Sequence, residues 1–379
     1  MAPGETTGAV AEPLGAADAL SRADERMKRS IAAVIVERYA LVGLLIAAIL
    51  FFALYPTTAD TFLTKPNVDN ILRNIAVTGM LAMAMLVPLV AGYFDLSVSA
   101  TAATANVVVA ALLVRYDEAI WIALLAGVLV GPVIGIVNGF LAGVLRLNAL
   151  IATLAMYTLL GGILLAYTKG EQIQEGFPIS LGDWGLGHLL ELPRPLWIFA
   201  IVTVVTWYVV ERTPFGRRLA AIGSNETAAR LVGIRLGRMI FITFLVSAVF
   251  GAAAGTLLTI QTGTGNATTG ISYLFPAIAV VFLGQTAIQP GRVNVWGTVT
   301  ALLLTAVVVN GLSLLGAQSW VEQVFNGAAL LVSLAVSSLM ARARAGRAGR
   351  LVLAELQEEQ ARSQQQRAPQ AQRVEPGRS

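Results

Sequence analysis

Ten long apolar runs, each bounded by charged or helix-breaking residues, take up most of the 379-residue chain. A membrane-spanning helix needs about 20 mainly apolar residues, and 56% hydrophobic against 13% charged residues supplies many such segments. Soluble domains carry about 25% charged residues, and the mean hydropathy of +0.73 lies far above what they tolerate. The sequence therefore predicts an all-α polytopic membrane protein of about ten transmembrane helices. It excludes an ordinary cytoplasmic enzyme, a disordered scaffold and a nucleic-acid binder.

The predicted spans share an apolar interior and have approximate ends. They are 39–55, 75–91, 98–114, 119–145, 147–168, 196–210, 239–260, 271–289, 293–315 and 324–340. The second and third are the least regular, because only residues 92–97 separate them and Pro88 interrupts the helix. Broken or irregular backbone at membrane depth is tolerated only where it is buried in protein or lines a cavity.

The basic residues are distributed unevenly between the two sides of the membrane. With the amino terminus inside, 21 of the 26 Lys and Arg residues fall in cytoplasmic segments, as the positive-inside rule requires. Both termini are therefore predicted to be cytoplasmic, and the basic pI is an orientation signal. This gives a cytoplasmic tail at 1–38, a transmembrane domain at 39–340 with a basic inside loop at 211–238, and a basic, then Gln-rich, cytoplasmic tail at 341–379. The second tail is expected to contact anionic lipid.

The composition also limits the chemistry that the chain can perform. It has no Cys and a single His188, so a thiolate metal site, a Cys nucleophile and a His-based triad or metal site are all excluded. The phosphate-binding pattern GxxxxGK[ST] is missing from the sequence. We therefore expect no catalytic or metal-binding residues, and any ATP must be bound by another chain.

The inside loop carries more helix-breaking and helix-capping residues than a loop that only fixes the topology requires. Pro214 and Gly216 break the chain after the sixth span, and Gly233 ends a short segment further on. Within it, Asn225 suits a helix cap and Glu226 suits the positive end of a helix dipole. The pattern predicts a short helix at the membrane surface that presents small side chains to a closely packed partner.

This loop resembles the cytoplasmic coupling loop in permease subunits of bacterial ABC importers of the ribose/xylose/galactoside type, which typically reads GRRxxAIGxNxxAARxxGI. The matching positions are Gly216, Arg217, Arg218, Ala221, Ile222, Gly223, Asn225, Ala228, Ala229, Arg230, Gly233 and Ile234. In that family the short helix docks on an ATP-hydrolysing subunit and carries its motion into the membrane. The resemblance implies ATPase coupling through these residues and Glu226, which stands one residue before the Glu of the general EAAxxxG motif.

A second resemblance surrounds Asp95. Residues 92–99 read GYFDLSVS, similar to the family's GGIDLSVG. An acid in an otherwise apolar region is costly enough to indicate a functional site, so Asp95, Ser97, Ser99 and Asn106 are predicted to lie along a polar substrate pathway. The structural alternative is that Asp95 caps the following helix by accepting backbone N–H bonds near Ser97. The two roles are compatible.

The family resemblance covers about residues 67–338 and implies most of the function. It implies a permease subunit in the inner membrane of a bacterium that translocates a monosaccharide or related polyol by alternating access. The implied partners are an ATP-binding subunit that holds ATP and Mg, a substrate-binding protein at the outer face, a second permease copy in a homodimer or heterodimer, and the lipid bilayer. No cofactor is expected in this chain.

Two other transport functions remain as alternatives. A branched-chain amino-acid permease carries a zwitterion, which favours paired charges or exposed helix ends. An ion-coupled secondary transporter predicts clustered intramembrane acids, whereas Asp95 is nearly alone. Pro276 stands where the family usually has an acidic residue, which leaves the cargo open.

Other polar and small residues have structural interpretations. Asn138, Asn148 and Asn310 are expected to join helices, and Glu322 to extend to the membrane surface at a span end. Glycines at four-residue spacing favour close helix packing. The acidic outer loop at 169–195 is either a rim that receives a soluble partner or a solvated connector.

Overall fold

The computed structural model describes residues 38–336, 338 and 339, and these form a helical membrane domain. Seven helices are long and apolar enough to cross a membrane, and three shorter apolar helices occupy the remaining predicted spans. The helices are α1 (Arg38–Leu54), α2 (Ala59–Phe62), α3 (Lys65–Val90), α4 (Val98–Val114), α5 (Ile120–Gly139), α6 (Ala149–Thr168), α7 (Ile179–Leu186), α8 (Arg194–Trp207), α9 (Pro214–Ser224), α10 (Glu226–Leu231), α11 (Leu236–Thr262), α12 (Thr269–Ser272), α13 (Leu274–Gly284), α14 (Val295–Leu314) and α15 (Ser319–Val336). The predicted all-α polytopic class is confirmed.

The second span differs from its prediction at both ends. The predicted span begins at Ile75, whereas α3 begins at Lys65, with Pro66 in its first turn, where a missing N–H costs nothing. Hydropathy hides this first part because it carries polar side chains such as Asn70 and Asn74. At the other end the predicted interruption at Pro88 is wrong, since α3 continues to Val90 before the irregular loop.

Helices α3 and α11 form the centre of the domain. Helix α11 packs against α3, α4 and α5, and both central helices are mostly buried. Small residues permit this packing: a Cβ on Gly255 of α11 would lie 2.0 Å from the Ala102 carbonyl oxygen, and one on Gly131 of α5 would lie 2.7 Å from that of Ala248. The prediction that the spaced glycines serve helix packing is confirmed.

At one end of the domain the long outer loop is folded. It contains α7 and a two-stranded antiparallel hairpin of β1 (His188–Leu189) and β2 (Leu192–Pro193). Leu181 of α7 is buried, and a Cβ on Gly185 would lie 2.7 Å from the Ile260 carbonyl oxygen of α11. His188 Nε2 lies 2.7 Å from Asp69 Oδ2 at the start of α3. The loop is therefore a packed cap and not a loose connector; we call this the hairpin end.

The opposite end carries α9 and α10, and we call it the coupling-loop end. Helices α5 and α8 each finish in a π-helical turn there, Phe140–Val144 and Tyr208–Arg212. A Cβ on Gly223 of α9 would lie 2.4 Å from the Val90 carbonyl oxygen, so α9 sits directly under the end of α3. The predicted carboxy-terminal tail and all of the amino-terminal tail except Arg38 lie outside the described residues. The cytoplasmic placement of both termini stays a prediction.

Candidate functional site

The loop between α3 and α4 places Asp95 at the centre of a buried hydrogen-bond network. Asp95 Oδ1 accepts from the Ser97 backbone N–H at 3.1 Å and from its hydroxyl at 2.6 Å. Oδ2 accepts from the Ser247 hydroxyl of α11 at 2.8 Å, and Asn138 Nδ2 of α5 donates to Ser97 Oγ at 2.7 Å. The carboxylate therefore ties the loop to α11 directly and to α5 through Ser97. It accepts the N–H of Ser97, the residue that precedes α4, so the predicted contact with the Ser97 backbone is confirmed.

Further along α4, Asn106 is held in a similar way. Its Nδ2 donates to Thr259 Oγ1 at 2.8 Å and to the Thr264 carbonyl at 2.9 Å. Its Oδ1 accepts from the Asn266 N–H at 2.8 Å. Asn106 thus joins α4 to α11 and to the loop that follows α11. By contrast, Ser99 Oγ is buried without a hydrogen-bond partner.

These contacts decide what the predicted pathway residues can do in this conformation. Asp95, Ser97, Ser99 and Asn106 are each at most 1% exposed, so none can touch a cargo molecule as the helices stand. Three of the four are engaged in bonds between helices or loops. A role along the substrate pathway stays a prediction and requires α4 to separate from α11.

The second half of the inside loop folds as the sequence predicts, whereas Pro214 begins α9 and Gly216 lies within it, so the predicted break of the chain at Gly216 is wrong. Asn225 caps α10, since its Oδ1 accepts from the Ala228 N–H at 3.0 Å. Arg230 Nη2 donates to Glu226 Oε1 at 3.4 Å across one turn. Gly233 follows α10 with φ of +85°, a conformation that favours glycine. The predicted surface helix, its cap and its terminator are confirmed.

The structure divides the predicted coupling residues into two groups. Arg217, Arg218 and Ala228 are exposed at the surface of the coupling-loop end. Ala229 is buried against its own chain, and a Cβ on Gly216 would lie 1.8 Å from the Val210 carbonyl oxygen. The expectation that both alanines face a partner is therefore wrong for Ala229. The small side chain of Ala229 and the missing side chain of Gly216 let α10 and α9 pack against the membrane domain.

Sequence reasoning missed the most exposed apolar pair at this end. Leu231, the last residue of α10, and Val232, the next residue, are 83% and 77% exposed. At the same end of the domain a cavity of about 860 Å³ lies along α9, with Glu211, Arg212, Arg217 and Arg292 in its wall. The two apolar side chains lie within the motif segment, and only their exposure in the fold distinguishes them.

Tyr93 connects the coupling helices to the loop that carries Asp95. Its hydroxyl donates to Glu226 Oε2 of α10 at 3.2 Å. Burial, together with the nearby Glu226 carboxylate, raises the pKa of Tyr93 to about 12. The Tyr93 hydroxyl therefore stays protonated and donates a hydrogen bond to Glu226 throughout the physiological pH range.

A polar cavity of about 370 Å³ opens between α3, α14 and α15, and sequence reasoning missed it as a site. Its polar lining residues are Asn70, Asn74, Thr78, Tyr273, Thr305, Asn310, Ser313, Glu322 and Asn326. Pro276, the position that departs from the family pattern, also lines it. The available signal was the spacing of Asn70, Asn74 and Thr78, which places three polar side chains on one face of a helix.

Of the three asparagines predicted to join helices, Asn138 and Asn310 do so, whereas Asn148 caps its own helix. Asn310 exchanges side-chain hydrogen bonds of 2.9 and 3.0 Å with Asn67 of α3, and Asn148 caps α6 by accepting from the Ile151 N–H at 3.2 Å. Asn138 and Asn310 therefore join helices as predicted. Glu322 lies in the wall of the polar cavity. In the part of the chain that the structure describes, no three His, Asp or Glu side chains form a group that could hold a metal ion.

Comparison with known proteins places most of the transmembrane domain in one family. The family described as "Branched-chain amino acid transport system / permease component" matches residues 67–334. The chain is 33% identical to the ribose import permease protein RbsC of Haemophilus influenzae over 291 residues, which cover 76% of this chain and 90% of that protein. It is 34% identical to RbsC of Bacillus subtilis over 77% of this chain and 89% of that protein. It is 30% identical to the L-arabinose transport system permease protein AraH of Escherichia coli over 77% of this chain and 88% of that protein. No solved structure matches the chain.

Proposed function

Because the chain belongs to the family of branched-chain amino acid transport system permease components, we propose that it imports a monosaccharide or related polyol as the permease subunit of an ABC importer. It is a multi-pass protein of the cell (inner) membrane and a transport subunit. Relatives named for ribose and for arabinose align over almost their full length. These relatives favour a pentose or a similar neutral sugar as the cargo.

The observation that carries the proposal is the exposed surface of the coupling-loop end. Helix α10 is rigidly capped, held to Tyr93 and seated on the membrane domain, yet Leu231 and Val232 project from it almost fully exposed. Exposed apolar side chains with basic neighbours mark a contact with another protein. In our proposal this partner is an ATP-binding subunit, which holds ATP and Mg and hydrolyses the nucleotide.

The hairpin end offers a second surface of the same kind. Ile179 and Leu190 are 81% and 77% exposed there, on a loop whose interior is packed. In our proposal a substrate-binding protein delivers the sugar to this surface. A second permease copy, identical or related, completes the assembly in the bilayer, and the cargo passes by alternating access.

The experiment reconstitutes the permease with the ATP-binding and substrate-binding subunits encoded near its gene, and measures ATP-dependent uptake of ribose, arabinose and leucine into proteoliposomes. The proposal expects uptake of a sugar. Leu231→Glu should prevent co-purification of the ATP-binding subunit and lower uptake at least about tenfold, because a charge replaces a buried apolar contact of about 1.4 kcal/mol or more.

The matched control is Leu190→Glu, an equally exposed leucine at the hairpin end. This variant should keep the ATP-binding subunit and its basal ATP hydrolysis. Equal retention of the ATP-binding subunit by both variants would refute the coupling surface. Uptake of leucine and of no sugar would refute the proposed cargo and favour the amino-acid alternative.

A further inference from the structure

One side of α3 is polar, and neither the coupling-loop end nor the hairpin end gives this face a role. Asn70 and Asn74 are exposed and Thr78 is half-buried, and they repeat every four residues along one side of the helix. Thr78 lies near the middle of the 26-residue α3, so the three side chains run about 12 Å from the hairpin end towards the membrane centre. Exposed amides at this depth are costly against lipid, so this face requires water, a ligand or protein.

The facing helices complete a polar enclosure. Thr305 and Ser313 of α14 and Glu322 of α15 line the same cavity. Its volume of about 370 Å³ falls within the range of about 300–1,000 Å³ that small-molecule sites occupy. The cavity therefore has the size and the hydrogen-bonding groups of a small-ligand site.

An unpaired buried group points to a ligand in this cavity. Asn326 is 5% exposed, lines the cavity, and its Oδ1 has no hydrogen-bond partner within the part of the chain that the structure describes. A buried amide oxygen without a donor is unfavourable, and the side chain lies one helical turn after Glu322. A hydroxyl-bearing ligand would supply the missing donor.

The charge of the lining selects the ligand class. Among the described residues that line the cavity, Glu322 is the one acid and none is a Lys, Arg or His. A zwitterionic amino acid would leave its carboxylate without a cationic partner and near Glu322. A neutral polyhydroxylated molecule instead donates to the carboxylate and amide oxygens and accepts from the amide N–H groups.

We propose that this cavity between α3, α14 and α15 is a binding station for the neutral polyhydroxylated cargo on its way through the membrane. The proposal rests on the proposed function and places the cargo away from Asp95. Asn74, Thr78 and Asn326 provide its hydrogen-bonding wall, and Glu322 provides an acceptor at its rim.

The first test asks whether water reaches the cavity. The natural chain has no Cys, so single variants can be labelled without background. In the reconstituted complex Asn74→Cys and Thr78→Cys should react with a membrane-impermeant maleimide, and saturating ribose or arabinose should slow the reaction. The matched control is Thr158→Cys on α6, whose parent side chain is exposed among apolar neighbours and should not react, since thiolates form poorly away from water.

The second test measures maximal sugar uptake at saturating binding protein. Asn74→Leu and Thr78→Leu should each lower it about tenfold, equivalent to about 1.4 kcal/mol, whereas Thr158→Leu should leave it unchanged. Glu322→Gln should also lower uptake, but by less than about tenfold, because the amide oxygen still accepts from a hydroxyl although less strongly than a carboxylate does.

The opposite results separate this inference from the proposed function. Sugar uptake that survives Asn74→Leu and Thr78→Leu, with the wild type active, overturns the cavity and leaves the proposed function intact. Disulfide-linked dimers of Asn74→Cys in place of labelling would assign this face to a contact between two copies and also overturn it. Leucine uptake without sugar uptake overturns both, and a loss of more than tenfold in Glu322→Gln overturns the neutral cargo.

Discussion

The domain holds two groups of polar side chains at membrane depth, and their hydrogen bonding separates them. Around Asp95 both carboxylate oxygens have donors and the side chains are buried, although Ser99 Oγ and Asn138 Oδ1 have no hydrogen-bond partner among the described residues. Along α3 the side chains of Asn74 and Thr78 bond only within their own helix, at 3.3 and 3.5 Å, and remain accessible. Completed bonds stabilise a fold, whereas accessible and weakly bonded groups are available to a ligand. Polarity within a membrane span therefore does not identify a pathway until the partners of each group are known.

The largest effect is expected from Asp95→Ala, which removes the acceptor of three hydrogen bonds at once. Leaving buried donors of Ser97 and Ser247 unpaired should lower the free energy of unfolding by about 3 kcal/mol or more. Thermal unfolding of the purified protein, monitored by size-exclusion chromatography after heating, measures this loss of stability. Asp95→Asn is the control and should lose less, because its amide oxygen still accepts from Ser97. Normal stability of Asp95→Ala combined with altered sugar preference would make the Asp95 group a cargo site instead.

A second prediction applies one substitution to both regions. Thr153 is fully buried, and its hydroxyl accepts from the Leu96 N–H at 3.2 Å beside Asp95. Thr153→Val should cost about 1–2 kcal/mol because that N–H loses its acceptor. Thr78→Val should change stability by less than about 0.5 kcal/mol, since its hydroxyl reaches only the Asn74 carbonyl at 3.5 Å. Equal losses in the two variants, measured by thermal unfolding, would erase the distinction between the regions.

The sequence predicted the helices better than it predicted which polar groups are accessible. The membrane helices follow from apolar runs, and the ends of α10 follow from the cap at Asn225 and the terminator at Gly233. Both signals are local, so they can be recognised in the sequence. The polar half of α3 was excluded from its span because hydropathy averages over a helix and ignores its faces. A predicted span that begins at Ile75 omits Asn70 and Asn74, and the spacing that marks the cavity is then concealed.

Burial within the tertiary structure explains the remaining errors. Ala228 and Ala229 are neighbours of the same type, yet one is exposed and the other is buried, and only the docking of α10 on the membrane domain decides which. Likewise Asp95 and Glu322 are both acids near span ends. Ser97 supplies two donors to Asp95 from two residues away, but the third comes from Ser247 of α11, 152 residues further along the chain, a distance that local reasoning cannot bridge.

Tyr93 lies where the Asp95 loop meets the coupling helices. Its pKa rises from 10.0 to about 12, mainly through burial and then through the Glu226 carboxylate. Because the folded-state pKa of Tyr93 exceeds its unfolded value, the protonated side chain favours the folded state. Its contribution to the free energy of unfolding is fully present below pH 10 and is lost as the pH rises through about 12. The Tyr93 hydroxyl therefore donates to Glu226 under all conditions in which transport is measured.

The smallest effect is expected from Tyr93→Phe, which keeps the ring and removes only this exposed hydrogen bond of 3.2 Å. Stability should fall by about 1 kcal/mol or less, and sugar uptake by at most about fivefold, while basal ATP hydrolysis is unchanged. The physical reason is that α10 would no longer be fixed to the loop that closes α4 against α11, so motion at the coupling-loop end would reach the membrane helices less completely. Uptake per ATP hydrolysed in proteoliposomes measures this, with Tyr208→Phe as the control because its side chain is exposed on the outer surface of the domain. An unchanged ratio of sugar to ATP in Tyr93→Phe would show that the Asp95 region stabilises the fold without transmitting the motion of the coupling helices.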